Sequence, residues 1–388
     1  MTELRSPHYV NPAPFDPYVA KKMTAEEERF YRASSATLIW WKFRRNRPAL
    51  FAGIFLALVY LSLPFVEVIA PYSLNQRNAD YLYTPPQSVH LFHDGQFVGP
   101  FVYPVNFAIR DIESPQFPGI YQVDKTKPQT LRFFCSGERY KMWGLFEGNF
   151  HLVCPPENST AFLLGTDRLG RDMLSRIIYG ARISLTVGLI GIAVSFTIGL
   201  TLGGLAGYVG GIVDALVMRL IEVLRSLPEL PLWLALSAAL PANWSPVIVF
   251  LGITIILGLL DWPGLALAVR SKVKSLRNED FVHAAEMMGA SRSRIIGRHL
   301  LPNFMSHLIA SATLSIPAMI LGETALSFLG LGLRPPVVSW GVLLNSAQNL
   351  GAINLYPWLL IPMIPVMLVV LAFNFFGDGL RDAADPYH

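Results

Sequence analysis

Between positions 183 and 213 the chain runs 31 residues without a single Asp, Glu, Lys, Arg or His. At about 1.5 Å of rise per residue, roughly 20 helical residues cross a hydrocarbon core of ~30 Å. A segment this long with no polar face does not suit the surface of a water-soluble domain. In lipid it satisfies its own backbone as a helix. Comparable apolar segments occupy 49–66, 246–269, 305–329 and 356–376. A shorter one, 230–240, follows a charged turn with Arg219, Glu222, Arg225 and Glu229, which reads as an amphipathic lead-in to a further span. The expected fold is an all-α polytopic membrane protein of about six transmembrane helices. Charged residues are 15% of the 388, against about a quarter in soluble chains. That excludes a disordered chain, a collagen-like fibre, a disulfide-dense secreted domain and an ordinary cytosolic enzyme.

The placement of the basic residues sets the expected orientation. Nine Lys/Arg lie in 1–48, four of them (Lys42, Arg44, Arg45 and Arg47) just before the first span. Seven more, Arg270, Lys272, Lys274, Arg277, Arg292, Arg294 and Arg298, fall in 270–303. With six spans, both segments and the C-terminus share one side, and the basic bias makes that side cytoplasmic. The mildly positive net charge then reflects topology and calls for no nucleic acid. The chain divides into a basic tail 1–48, an anchor 49–70, an outward insertion 71–163, a transmembrane domain 164–376 with the cytoplasmic connection 270–303, and a tail 377–388. The insertion holds 17 aromatic residues and 10 Pro among its 93 residues, a composition for short strands and turns packed as a small extracytoplasmic lobe. The only two cysteines, Cys135 and Cys154, lie there. An exported compartment permits a disulfide between them; two buried free thiols are the alternative.

The connection between the fourth and fifth spans reads NEDFVHAAEMMGASRSRIIGRHLLPN, residues 278–303. Phe281, Ala284, Ala285 and Met288 fall at i, i+3, i+4 and i+7, one face of a short helix. Gly289 suits the positive φ that ends a helix, and Ser291 suits the cap of a second one. The result is a helix–Gly–helix elbow, small on one face and basic on the other. Its spacing resembles the EAA loop of bacterial ABC-importer permeases, in which Glu-Ala-Ala is followed by a Gly and, further on, by Leu-Pro. Here His283 stands at the Glu position, with Ala284, Ala285, Gly289, Leu301 and Pro302 in register, and His299 replaces an Ile. Three further blocks, 164–185 (LGTDRLGRDMLSRIIYGARISL), 322–341 (GETALSFLGLGLRPPVVSWG) and 375–386 (FFGDGLRDAADP), resemble the C-type permease of the oligopeptide, dipeptide and nickel importer family.

That resemblance implies a bacterial inner-membrane permease and a defined set of partners. These are a homologous second permease completing a heterodimer, two ABC ATPase subunits, an external solute-binding protein and the surrounding lipid. It implies that His283, Ala284, Ala285, Gly289, Arg294, Arg298, Leu301 and Pro302 form the ATPase-docking loop. Di- or oligopeptides are the implied cargo, with oligosaccharides or nickel as alternatives. No GxxxxGK[ST], HExxH or GxSxG segment is present. The chain is therefore read as a transporter subunit with no cofactor or metal of its own and no catalytic residues, ATP and Mg being used by the partner subunits.

Four other features stand out. Gly199, Gly203, Gly207 and Gly211 recur every four residues, a row for close helix packing within the bundle or against the second permease. Asp261 and Glu323 are ionisable at membrane depth, which makes them candidates for the substrate path; the alternatives are a water-admitting helix break beside Pro263 and a hydrogen bond to a neighbouring helix. A proton-coupled secondary transporter using these two carboxylates is the rival reading, and a membrane-anchored receptor with a ligand-binding lobe is another. Asp167, Arg168, Arg171 and Asp172 read as an interfacial helix N-terminus. Asp378, Arg381, Asp382 and Asp385 form a solvated acidic tail.

Overall fold

The computed structural model describes residues 33–109, 120–157, 159–241 and 243–384. Most of the basic tail, positions 1–32, and the end of the acidic tail, including Asp385, lie outside the described residues. Among the described residues the first helix, α1 (Ser35–Arg45), starts where the Ser34 hydroxyl accepts the Thr37 N–H. Asn46 ends it and caps α2 (Arg47–Ser62) through its side chain, with Pro48 in the first turn where its missing N–H costs nothing. A 3₁₀ turn, Leu63–Phe65, carries α2 into the short α3 (Val66–Ile69). Five helical segments among the described residues are long and apolar enough to cross a membrane: Arg47–Ile69, Met173–Val209, Pro246–Leu276, Arg292–Phe328 and Pro357–Ala384. The chain is thus a polytopic helical membrane protein.

Between the first two of these lies a region of strands: β1 (His90–His93), β2 (Gln96–Val102), β3 (Val105–Ile109), β4 (Ile120–Val123), β5 (Gln129–Thr130), β6 (Arg132–Met142) and β7 (Phe146–Cys154). They form three small antiparallel sheets, β1-β2-β5, β3-β4 and β6-β7. The Cys135–Cys154 disulfide joins β6 to β7 with an S–S distance of 1.94 Å. Aromatic residues fill this small core, Phe101 and Phe162 being fully buried and Tyr72 stacking on Phe162.

The bundle follows with α4 (Met173–Val209), α5 (Gly211–Ser226), α6 (Glu229–Ala238), α7 (Pro246–Leu276), α8 (Asp280–Met287), α9 (Arg292–Arg294), α10 (Met305–Phe328), α11 (Trp340–Asn345), α12 (Leu350–Leu355) and α13 (Met363–Ala384). Its packing chain runs α2 on α13, α13 on α10, α10 on α4 and α4 on α7. The glycine row sets the last contact. A Cβ at Gly199 would lie 2.8 Å from Leu265, one at Gly203 2.5 Å from the Ala266 carbonyl, and one at Gly207 2.7 Å from the Arg270 carbonyl. The row therefore serves packing within one chain. Gly211 is not part of it: its φ is +56°, its surroundings are open, and with Gly210 it turns the chain from α4 into α5.

Two expectations are corrected. The apolar stretch 230–240 is not a span by itself, because α6 has 10 residues, about 15 Å of helix. Pro228 is the cause: it holds Leu227 in extended backbone (φ −92°, ψ 137°) and ends α5. The broken pair nonetheless runs along α7, with Asp214 paired to Arg270, Val217 and Ile221 packed with Trp262 and Ala266, and Leu240 against Gly252. The second correction is Pro263, which does not interrupt the fourth apolar stretch; α7 continues through it for 31 residues.

Gly203→Ala should lower the stability of the detergent-solubilised chain by roughly 1–3 kcal/mol through overpacking. Gly264→Ala, on α7 with open space around it, should leave the unfolding midpoint unchanged.

Candidate functional site

The elbow is built on α8, which begins after Glu279 and carries Val282 and Ala285 inward. Both are buried, and they join a cluster with Val273, Ile295 and Leu300 from the flanking elements. The expectation that Ala285 shares a face with Phe281, Ala284 and Met288 is therefore corrected: Ala285 is 2% exposed and belongs to the inner face. Phe281, Ala284 and Met288 remain on the outer stripe at i, i+3 and i+7, beside exposed His283 and Met287. Met287 is 89% and Met288 80% exposed, so the elbow presents two thioether side chains and an aromatic ring outward.

Gly289, with φ +79°, ends α8. Its N–H donates to the Glu286 carbonyl at 2.9 Å while the Ala290 N–H reaches back to Ala285 at 3.1 Å, the paired bonds of a Schellman turn. The short α9 (Arg292–Arg294), a π-helical turn (Ile295–Leu300) and a 3₁₀ turn (Leu301–Phe304) then lead into α10. Arg294, Arg298 and Pro302 are exposed along this return, and Leu301 is half-buried. One polar contact roots the elbow in another helix, and a second braces the helix that leads into it. The Tyr208 hydroxyl, at the end of α4, donates to Glu286 at 2.6 Å and holds that carboxyl below its ordinary range. Arg270 on α7 clasps Asp214 on α5 through two hydrogen bonds, which ties the helix leading into the elbow to α5.

The two carboxylates at membrane depth lie apart. Glu323 on α10 is fully buried and accepts hydrogen bonds from Ser184 (3.1 Å), Ser327 (2.7 Å) and Ser339 (2.6 Å). Each serine also holds a backbone N–H, of Trp340, Leu333 and Val342 respectively, so Glu323 anchors the turn from α10 to α11. Asp261 is half-buried on α7 and accepts from Ser195 of α4 at 3.1 Å. Ser184 and Ser195 are eleven positions apart, about 16 Å along α4. At the start of α4, Asp172 caps the helix by accepting the Ser175 N–H at 2.7 Å. Asp167 is buried between Arg171 and Arg176 and also accepts the N–H groups of Leu169 and Arg171. These charges fasten the loop internally.

Sequence reasoning did not find the serines around Glu323 or the Tyr208–Glu286 contact. It also missed Glu67, whose carboxylate is clasped by Arg182 at 2.7 and 2.6 Å. An unpaired Glu at the end of an apolar run was a readable sign that a cation had to be near.

Residues 199–387 match the family described as binding-protein-dependent transport system inner membrane component, and residues 34–86 match the N-terminal transmembrane domain of oligopeptide transport permease C. The dipeptide transport system permease protein DppC of Bacillus subtilis is 44% identical over 224 residues, which cover 57% of this chain and 68% of that protein. The chain belongs to this permease family. The oligopeptide transport system permease protein OppC of Haemophilus influenzae is 44% identical over 57% of this chain and 69% of its own length. The di/tripeptide transport system permease protein DppC of Pseudomonas aeruginosa is 40% identical over 61% and 77%. An inward-facing structure of the MetNI methionine ABC transporter matches with a TM-score of 0.42 at 18% identity, over 54% of this chain and 97% of that one. In this permease, residues 87–198 fall between the two family matches, and that interval contains the seven strands found among the described residues.

Glu323→Ala should destabilise the permease by about 3–5 kcal/mol, since it leaves three buried hydroxyls without their acceptor. Glu323→Gln keeps an acceptor oxygen and should preserve both folding and transport. Loss of transport in a stably folded Gln variant would instead mark Glu323 as a proton carrier.

Proposed function

We propose that this permease forms one half of the membrane pathway of an ATP-binding-cassette importer for di- or oligopeptides. The observation that carries this is the elbow. It turns an exposed stripe of Phe281, Ala284 and Met288, together with His283 and Met287, toward a partner, and its inner face is packed on the ends of α7 and α10. A helix displaying two highly exposed Met side chains is an unfinished interface. The occupant is an ATPase subunit, with Arg294, Arg298 and Pro302 at the margin and Gly289 setting the angle of the elbow. Ala285 acts from the inside, as packing. A homologous permease completes the path, two ATPase subunits bind the elbow side, and a solute-binding protein delivers cargo to the opposite side. The names of the relatives support peptide as the cargo.

On this reading α5 and α6 together make the third of six crossings, broken at Pro228. The N- and C-terminal tails and the 270–303 connection then share the cytoplasmic side of the bacterial inner membrane, and the 71–163 lobe lies outside. Asp261, half-buried and facing α4, is the candidate for the substrate path. Glu323 is enclosed by serines of its own chain and serves the bundle. The proton-coupled alternative is disfavoured by the separation of the two carboxylates, which meet α4 about 16 Å apart.

Reconstitution with the neighbouring ATPases, second permease and binding protein should give ATP-dependent uptake of labelled di- or oligopeptide. Uptake of an oligosaccharide or of nickel alone would reassign the cargo within the same architecture. Uptake driven by a proton gradient without ATP would overturn the reading. Gly289→Val forces a β-branched residue into positive φ, where nothing nearby obstructs the side chain itself. It should reduce coupled transport at least tenfold while membrane insertion and permease pairing, read by co-purification, persist.

A further inference from the structure

The tip of the β6–β7 hairpin has an unusual turn. Trp143 (φ +56°) and Gly144 (φ +72°) form its two central residues, closed by the Leu145 N–H on the Met142 carbonyl at 3.0 Å. Asn-Gly or Gly-Gly is the ordinary choice for such a turn, because a bulky side chain at positive φ is strained. Here a tryptophan occupies the strained position. Its neighbours are apolar: Met142, Leu145 (78% exposed) and Phe146 (69% exposed). One step further from the tip, Lys141 and Glu147 face each other as an exposed ion pair at 3.4 Å. The tip is therefore an apolar cap above a charged collar.

Its position along the first span follows from two contacts. At the base of the hairpin the His151 ring nitrogens lie 2.8 and 3.0 Å from the carbonyl oxygens of Ala70 and Glu138. At the tip the Trp143 indole N–H donates to the Pro64 carbonyl at 3.2 Å. From Ala70 back to Pro64 the chain is helical, so the hairpin descends about 9 Å toward the membrane as it runs from base to tip. The level it reaches is marked by Arg182, whose guanidinium lies 4.8 Å from the centre of the Trp143 ring and clasps Glu67. Arg182 is the last charge before the uncharged run that begins at 183, so it sits at the edge of the hydrocarbon. Leu61 (68% exposed) and Phe65 (53% exposed) continue the same apolar surface down the first span.

We propose that the Met142–Phe146 tip is a lipid-dipping anchor: Trp143, Leu145 and Phe146 enter the headgroup–acyl boundary of the leaflet on the lobe's side, and Lys141 and Glu147 stay among the headgroups. The occupant is phospholipid, because the tip is continuous with the lipid-facing surface of the first span. A Trp with its N–H satisfied and its ring against an Arg suits that boundary. The inference rests on the helices crossing a bilayer and on nothing about the cargo.

Leu145→p-benzoylphenylalanine in the full-length permease, assembled with its partners in nanodiscs of phosphatidylcholine and phosphatidylglycerol, should give phospholipid photoadducts detectable by mass spectrometry. In nanodiscs of phosphatidylcholine brominated near the carbonyl end of one acyl chain, tryptophan emission should be quenched more in the natural protein than in a Trp143→Phe variant that elutes identically. Photoadducts to a protein subunit in place of lipid, or equal quenching in the two proteins, would overturn the proposal.

Discussion

The close approach of α4 and α7 is the contact on which the rest of the bundle depends. In lipid, apolar side chains gain nothing by leaving their surroundings, so helices associate through dispersion and the few polar bonds they can share. Gly199, Gly203 and Gly207 remove the side chains that would hold the two helices apart, and the α7 backbone moves into the space. That approach brings Ser195 within hydrogen-bonding distance of Asp261. It also sets the ends of the pair: Tyr208 on α4 reaches Glu286 of the elbow, and Arg270 on α7 reaches Asp214.

The elbow inherits its mechanical character from this arrangement. Val282 and Ala285 share one cluster with Val273 of α7 and with Ile295 and Leu300 on the approach to α10. Well-packed clusters transmit displacement because they cannot compress. A partner pushing on the outer face of α8 would therefore move the ends of two membrane helices together. The compliant points are Gly289, with its positive φ, and the π-helical and 3₁₀ turns at 295–304, where the regular helical bonding changes register.

Much of this was readable in the chain. Apolar runs located all five long helices, three of them charge-free and two carrying a single carboxylate, Asp261 or Glu323, and the spacing of His283, Gly289 and Pro302 located the elbow. The errors share a physical origin. A search for uncharged residues finds the hydrocarbon layer rather than the helix, so α4 begins ten residues before the run at 183. It carries Arg176 and Arg182 within it because Asp167 and Glu67 neutralise them. Helical periodicity placed Ala285 with Phe281 because both are apolar. Which apolar side turns inward is decided by Val282 and by the cluster it meets, which are distant in sequence. Glu323 was visible as an oddity, but Ser184, Ser327 and Ser339 follow no period and become a set only in three dimensions. In the lobe, composition announced strands without their pairing.

Attachment of the lobe gives α4 a further role. Ser175 of α4 accepts the Tyr72 N–H at 3.0 Å, and Arg182 binds Glu67 together with the carbonyl of Leu63. Thr166, just before the helix, accepts the Thr84 N–H at 2.7 Å. These bonds join the lobe and the end of the first span to the first three turns of α4, a helix of 37 residues and about 55 Å. Its far end carries Tyr208 and the contact with the elbow. A continuous helix is stiff along its axis, so a load applied to the lobe and one applied to α8 act on the same rod. α4 thus ties the lobe to the elbow through one continuous element, and the close approach at Gly199, Gly203 and Gly207 holds that element against α7.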